Sequence, residues 1–146
     1  MAADVIAFRM TNKMNCFKCF QPKVETFAAE RGFSMKVIFH LTLALDELVT
    51  NIIDYGYADF DEHPIDVSIE TDGDRITVRI EDDSQPFNIL EAPEPELDLP
   101  IEERERPRGG MGIHLVKNMM DDIKYARIGD KNVLTLSKRI DQNCCS

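Results

Sequence analysis

Apolar positions divide the chain into elements before any motif is considered. Leu41, Leu45, Leu48 and Ile52 recur at helical spacing and mark the buried ridge of a helix. Ser34 stands where that helix needs a cap, and Gly56 where it is expected to fray. Before it, Met14 to Glu30 reads as a first amphipathic helix stopped by Gly32, with Pro22 starting or kinking a segment. "IDVSIE" (Ile65 to Glu70) and "RITVRIED" (Arg75 to Asp82) alternate with period two, and the Asp72-Gly73 pair between them predicts a hairpin. Val5 to Met10 alternates weakly, as an edge strand does. Helical spacing returns at Ile113, Val116, Met119 and Met120, and "DIKYARIGDKNVLTLSKRI" then supplies two strands with a turn at Gly129-Asp130.

The predicted order is β-α-α-β-β-loop-α-β-β. It implies an α+β fold: a two-layer sandwich with a mixed, mostly antiparallel sheet and helices on one face. The 146 residues fit one domain, spanning 1–146. Asp83 to Arg108 has no period and carries Pro86, Pro93, Pro95, Pro100 and Pro107. A loop this long inside one domain is usually functional or mobile.

Charge narrows the partners. The net charge of −10 repels nucleic acid, and the one basic run, "RERPR" at Arg104 to Arg108, is flanked by Glu102 and Glu103 and contains Glu105. Direct binding to nucleic acid is therefore not expected. No run is long and apolar enough for a membrane span, and "MAADVIAFRM" has no signal-peptide pattern, so a cytoplasmic protein is expected. Cys16 and Cys19 form C-x-x-C, a redox pair or half of a zinc site in some folds. The adjacent Cys144 and Cys145 make a poor second half, and a thioredoxin-like context is missing, so the reading here is helix-face cysteines.

Three stretches carry chemistry. In "LALDELVTNIIDYGY" (Leu43 to Tyr57), Glu47 and Asn51 are four residues apart and share a helical face beside the apolar ridge. They make either a base with a neutral oxygen ligand for a hard cation, or a polar helix flank. In "RIEDDSQPF" (Arg79 to Phe87), Asp82 closes a strand where the long loop begins, and a carboxylate there can accept from an exocyclic amine. In "RGGMGIHLVKNMMDD" (Arg108 to Asp122), three of the chain's seven glycines, Gly109, Gly110 and Gly112, precede a helix. Free N–H groups and the positive dipole end there suit phosphate; the alternative is a flexible hinge. The Walker pattern is absent. Taken in order, the three stretches describe an ATP pocket.

That ordered set resembles the Bergerat-fold ATPases, the group of DNA gyrase and the sensor histidine kinases, and within it the bacterial anti-sigma-factor serine/threonine kinases. "LALDELVTNIIDYGY" is similar to their N box, "EDDSQPF" to their G1 box, "GGMGIHLVKNMMD" to their G2 box, and "NVLTLSK" to their closing strand. The resemblance runs from about Val5 to Lys138. It implies Glu47 as general base and Asn51 as the ligand of Mg²⁺ against the ATP phosphates. It implies Asp82 as reader of the adenine amine, with Thr135 as helper and Ser84 beside the base. Gly110, Met111, Gly112 and Ile113 form the implied phosphate-binding stretch, and residues 83–108 the ATP lid. Two positions depart from the family pattern: Ser84, where the G1 box has glycine, and Tyr55, where histidine is common. The implied partners are a STAS-type anti-anti-sigma protein and a sigma factor or other regulator, and a homodimer is suggested. A nucleotide-gated binding module without phosphoryl transfer is the alternative. His40, His63 and His114 lie in no separate phosphoacceptor domain, which disfavours a histidine-kinase module.

Overall fold

A computed structural model describes residues 4–13, 17–91 and 109–140. Five strands form one sheet: β1 (Asp4–Thr11), β2 (Pro64–Asp72), β3 (Arg75–Asp82), β4 (Asp122–Ile128) and β5 (Lys131–Arg139). Three helices accompany them: α1 (Gln21–Glu30), α2 (Met35–Tyr55) and α3 (Gly109–Met119). The spatial order of the strands is β1-β2-β3-β5-β4.

All four strand pairings are antiparallel, which corrects the expectation of a mixed sheet. The connections supply the reason. β3 and β4 flank β5 and both run against it, so they point the same way, as strands joined through a crossover helix do. β5 lies between them and no parallel ladder forms. The two hairpins close on two residues each, with Asp72 facing Arg75 and Ile128 facing Lys131. Gly73 and Gly129 adopt the left-handed backbone that such turns demand, at φ 62° and 63°.

Strand alternation sends one set of side chains into the core. Ile65, Val67 and Ile69 of β2, Ile76, Val78 and Ile80 of β3, and Leu134 and Leu136 of β5 are buried. Leu41, Ala44, Leu45, Leu48 and Val49 of α2 close over them, and Ile113 and Val116 of α3 join the same cluster. Each fully buried aliphatic side chain contributes about 1.5–3 kcal/mol. Ser34 caps α2 by accepting from the Val37 N–H at 3.1 Å.

The first helix is shorter than its periodicity predicts. α1 begins at Gln21 with Pro22 in its opening turn, where a missing N–H costs nothing. A 3₁₀ turn, Phe17–Cys19, comes before it, and Phe20 stacks on Phe8 of β1 with ring centroids 4.6 Å apart. Residues 14–16 and 92–108, and with them Cys16 and most of the expected lid, lie outside the described residues, as do Cys144 and Cys145. No helix among the described residues is long and apolar enough to cross a membrane.

Candidate functional site

α2 places two polar groups along the border of its apolar ridge. Glu47 and Asn51 sit one turn apart beside buried Leu48. Asn51 lines a cavity of about 260 Å³ enclosed by α2, the ends of β3 and β5, and the segment after β3. Its Nδ2 is buried and has no hydrogen-bond partner among the described residues. A buried amide without a partner carries a free-energy cost unless a ligand satisfies it.

Asp82 forms the far wall of that cavity, only 5% exposed. Its three hydrogen bonds all end on Oδ1. The Ser84 N–H donates at 3.0 Å, the Ser84 hydroxyl donates at short range, and Asn132 Nδ2 donates at 3.2 Å. Asn132 is the direct register partner of Asp82 across the β3–β5 ladder. Its Nδ2 also donates to Ser84 Oγ at 3.0 Å and to the Gln85 carbonyl at 2.9 Å. Its Oδ1 accepts from Arg127 Nη1 at 3.2 Å and from the Tyr125 hydroxyl at 2.5 Å. Arg127 Nη1 donates in addition to the Ser84 carbonyl at 2.7 Å.

Ser84, where the resemblance expects glycine, is buried and has its space cleared by Gly56. A Cβ at position 56 would come within 2.7 Å of the Ser84 Cβ and 2.5 Å of the Ile52 carbonyl. The end of α2 is tied to the same segment: the Gly56 carbonyl accepts from the Gln85 N–H at 3.0 Å, and the Tyr55 carbonyl from Gln85 Nε2 at 2.7 Å.

Glu47 lies apart from the cavity lining, against α3. A Cβ at Gly112 would collide with Oε2 and Cδ of Glu47. Burial, and after it the charge of Asp46, raises the Glu47 carboxyl above its ordinary value. The glycines do not precede a helix, as the sequence suggested; α3 starts at Gly109, and Gly110, Met111 and Gly112 lie in its first turn. Backbone N–H groups of a first turn have no partner within the helix. With α3 starting at Gly109, Gly110 and Met111 keep free N–H groups, whereas those of Gly112 and Ile113 already enter the helical ladder. The Ile113 side chain is 2% exposed and belongs to the core, so Ile113 offers no ligand group, contrary to the expectation.

Thr135 requires a correction. It faces Arg79 and Lys124 in the ladders, one residue out of phase with Leu134 and Leu136, and it is not among the residues lining the cavity. Side chains one residue apart in a strand point to opposite faces, so Thr135 is turned away from Asp82. Asn132, Tyr125 and Arg127 were missed. Asn132 was findable, because it is in phase with Leu134 and Leu136 and so must point inward.

Beneath the Asp82 segment, His63 is held between two carboxylates, with Nε2 2.8 Å from Asp59 and Nδ1 3.1 Å from Asp83. The hydrogen bond to Asp59, and after it that to Asp83, raises its pKa. Its ring stacks on Tyr57 at 4.3 Å. The buried Tyr57 hydroxyl, without a partner among the described residues, is pushed above its ordinary value by burial and then by Asp82, Asp83 and Asp59. No group of three or more His, Cys, Asp or Glu residues suited to a metal occurs among the described residues, and Cys19 is an exposed free thiol. A cation such as Mg²⁺, which is commonly held by one or two protein oxygens plus substrate phosphates, could be held by Asn51 only through Oδ1; the unpartnered Nδ2 is a donor and suits a ligand acceptor such as a phosphate oxygen.

Residues 20–138 match the family described as histidine kinase-like ATPase domain. Serine-protein kinase RsbW of Listeria monocytogenes serotype 4a is 28% identical, over 98% of this chain and 95% of that relative. Anti-sigma F factor of Anoxybacillus flavithermus is 25% identical, over 82% of each. Serine/threonine-protein kinase BtrW of Bordetella bronchiseptica is 25% identical, over 78% of this chain and 79% of that one. Among solved structures, Acinetobacter baumannii histidine kinase AdeS shares the fold, with a TM-score of 0.50 at 16% identity, over 97% of this chain and 70% of that one.

Proposed function

This chain belongs to the histidine kinase-like ATPase domain family, and from that premise we propose that it is an ATP-dependent serine/threonine protein kinase that also acts as an anti-sigma factor. It transfers the γ-phosphoryl group of ATP to a serine or threonine of a STAS-type antagonist. It holds a sigma factor, or a comparable regulator, in competition with that antagonist.

The observation that carries this reading is the pairing on α2. Asn51, with an unpartnered buried amide, opens into the cavity walled by Asp82. One turn earlier, Glu47 abuts the glycine-rich start of α3. The adenine amine donates to Asp82, and the phosphates extend along α2 toward the first turn of α3. Their oxygens would meet the free N–H groups in the opening turn of α3, those of Gly110 and Met111. Mg²⁺, held by Asn51 and the phosphates, supplies charge neutralisation when bound. Glu47 accepts the proton of the incoming hydroxyl. Its raised pKa brings its proton affinity closer to neutral pH, which suits a base. Catalysis is otherwise positioning and electrostatics.

The test is incubation with γ-labelled ATP and a purified STAS protein from the same organism. Label on a serine or threonine of that protein supports the reading. Nucleotide-dependent capture of the partner with no label transferred would instead identify a nucleotide-gated binding module.

A further inference from the structure

Given the nucleotide reading above, we infer that Arg127 and Asn132 are positioning residues that orient Asp82 and thereby set the choice between an adenine and a 6-oxopurine base. Among the described residues, neither makes a hydrogen bond to α3. Asn132 shares the cavity wall with Asp82, and Arg127 sits on β4, the outer strand of the sheet.

The chemistry follows from donors and acceptors. An ionised carboxylate only accepts, and a guanidinium only donates. Arg127 Nη1 donates both to Asn132 Oδ1 and to the Ser84 carbonyl, at 3.2 and 2.7 Å. A donor in that place fixes which end of the Asn132 amide faces it: the oxygen turns to Arg127 and the nitrogen to Asp82. Tyr125 could not do this alone, because a hydroxyl either donates or accepts. With its amide so fixed, Asn132 joins the backbone and side chain of Ser84 in loading donors onto Asp82 Oδ1. All three bonds engage that one oxygen, which leaves Oδ2 for the base. An amine at the 6-position of the purine satisfies it; a carbonyl there sets acceptor against acceptor. Sites built around such a bond reject the analogue that lacks it, because their buried polar group is left unpaired.

Ser84 belongs to the same device. Where the family pattern has glycine, the hydroxyl adds one donor to Asp82 and one acceptor for Asn132. The substitution thus brings its own partners, and Gly56 supplies the room for it.

The experiment is calorimetric titration of the full chain with ATP and with inosine triphosphate, in which a 6-oxo group replaces the amine. Wild type is compared with Asn132→Asp and Arg127→Met. Asn132→Asp is nearly isosteric and turns the inward donor into an acceptor; Arg127→Met keeps the stem and removes the donor. Wild type is expected to prefer ATP. In both variants that preference falls about tenfold or more, the scale of a lost hydrogen bond to a charged group, while affinity for inosine triphosphate changes little. General loosening of the pocket would instead weaken both nucleotides together and leave their ratio intact. Arg127→Lys, which retains a single donor, should recover part of the preference. If Asn132→Asp does not fold, Arg127→Met decides, because Arg127 lies exposed on the edge strand. A preference kept by both variants overturns the inference and leaves the nucleotide reading standing. A wild type that binds no adenine nucleotide overturns that reading and the inference together.

Discussion

The carboxyl group of Glu47 occupies the volume that a side chain at Gly112 would need. The absence of a Cβ at the start of α3 is what lets an acid on α2 sit beside the helix entrance. Three consequences of this arrangement and of its neighbours can be measured.

Gly112→Ala should separate stability from activity. The clashing atoms are the far end of a flexible side chain, so Glu47 can swing aside. The helix meanwhile gains from losing a glycine, by up to about 1 kcal/mol. Thermal unfolding should therefore shift little. Phosphoryl transfer should fall about 10²-fold, the scale on which a misplaced reacting group costs rate. A variant that transfers normally would show that the contact is mere packing.

Asn51→Ala should be at least as stable as wild type. It removes a buried amide nitrogen that has no partner among the described residues and replaces it with the best helix former. A gain of about 1 kcal/mol is expected in denaturant unfolding. ATP affinity should drop about tenfold or more, and its dependence on Mg²⁺ should disappear. Nucleotide binding that ignores both the substitution and the cation would remove Asn51 from the phosphate site.

His63 should make the stability of the Asp83 segment depend on pH. Its folded pKa is raised above 6.5 by Asp59 and Asp83. The sign follows from linkage: the contribution is complete below the unfolded value near 6.5 and is lost as pH rises through the folded value. The Tyr57 phenol stacked on the ring stays neutral in this range. The melting temperature of wild type should decline over that alkaline window, and His63→Gln should flatten the decline. Equal pH profiles for the two proteins would sink the clamp.

Much of this structure could be read from residue order. Period-two alternation located β2, β3, β4 and β5, and the glycine turns fixed both hairpins, because each signal is local. The site residues on α2 were legible for the same reason: Glu47 and Asn51 are placed by helical spacing from Leu48. What failed depended on long-range pairing. The insertion of β5 between β3 and β4 has no signature in either strand, so the all-antiparallel sheet was missed. Thr135 failed on a single phase. Val133 and Leu134 are both apolar and adjacent, and choosing between them flips every side chain of β5 to the other face. Leu136 settles the phase, and with it Asn132 turns inward.

The most direct measurement is transfer by Glu47→Gln from labelled ATP to a STAS partner, with ATP affinity measured on the same preparation. Glutamine keeps the size of the side chain and cannot accept the proton. It also removes the ionisation that burial opposes, so the variant should be the more stable of the two at neutral pH. That advantage should fade as the pH falls through the raised folded value and be gone below the ordinary carboxyl value of 4.5. Transfer should fall about 10²-fold or more, while ATP binding and capture of the regulator persist. Transfer at the wild-type rate in a folded, ATP-binding Glu47→Gln would contradict the assignment of Glu47 as the base.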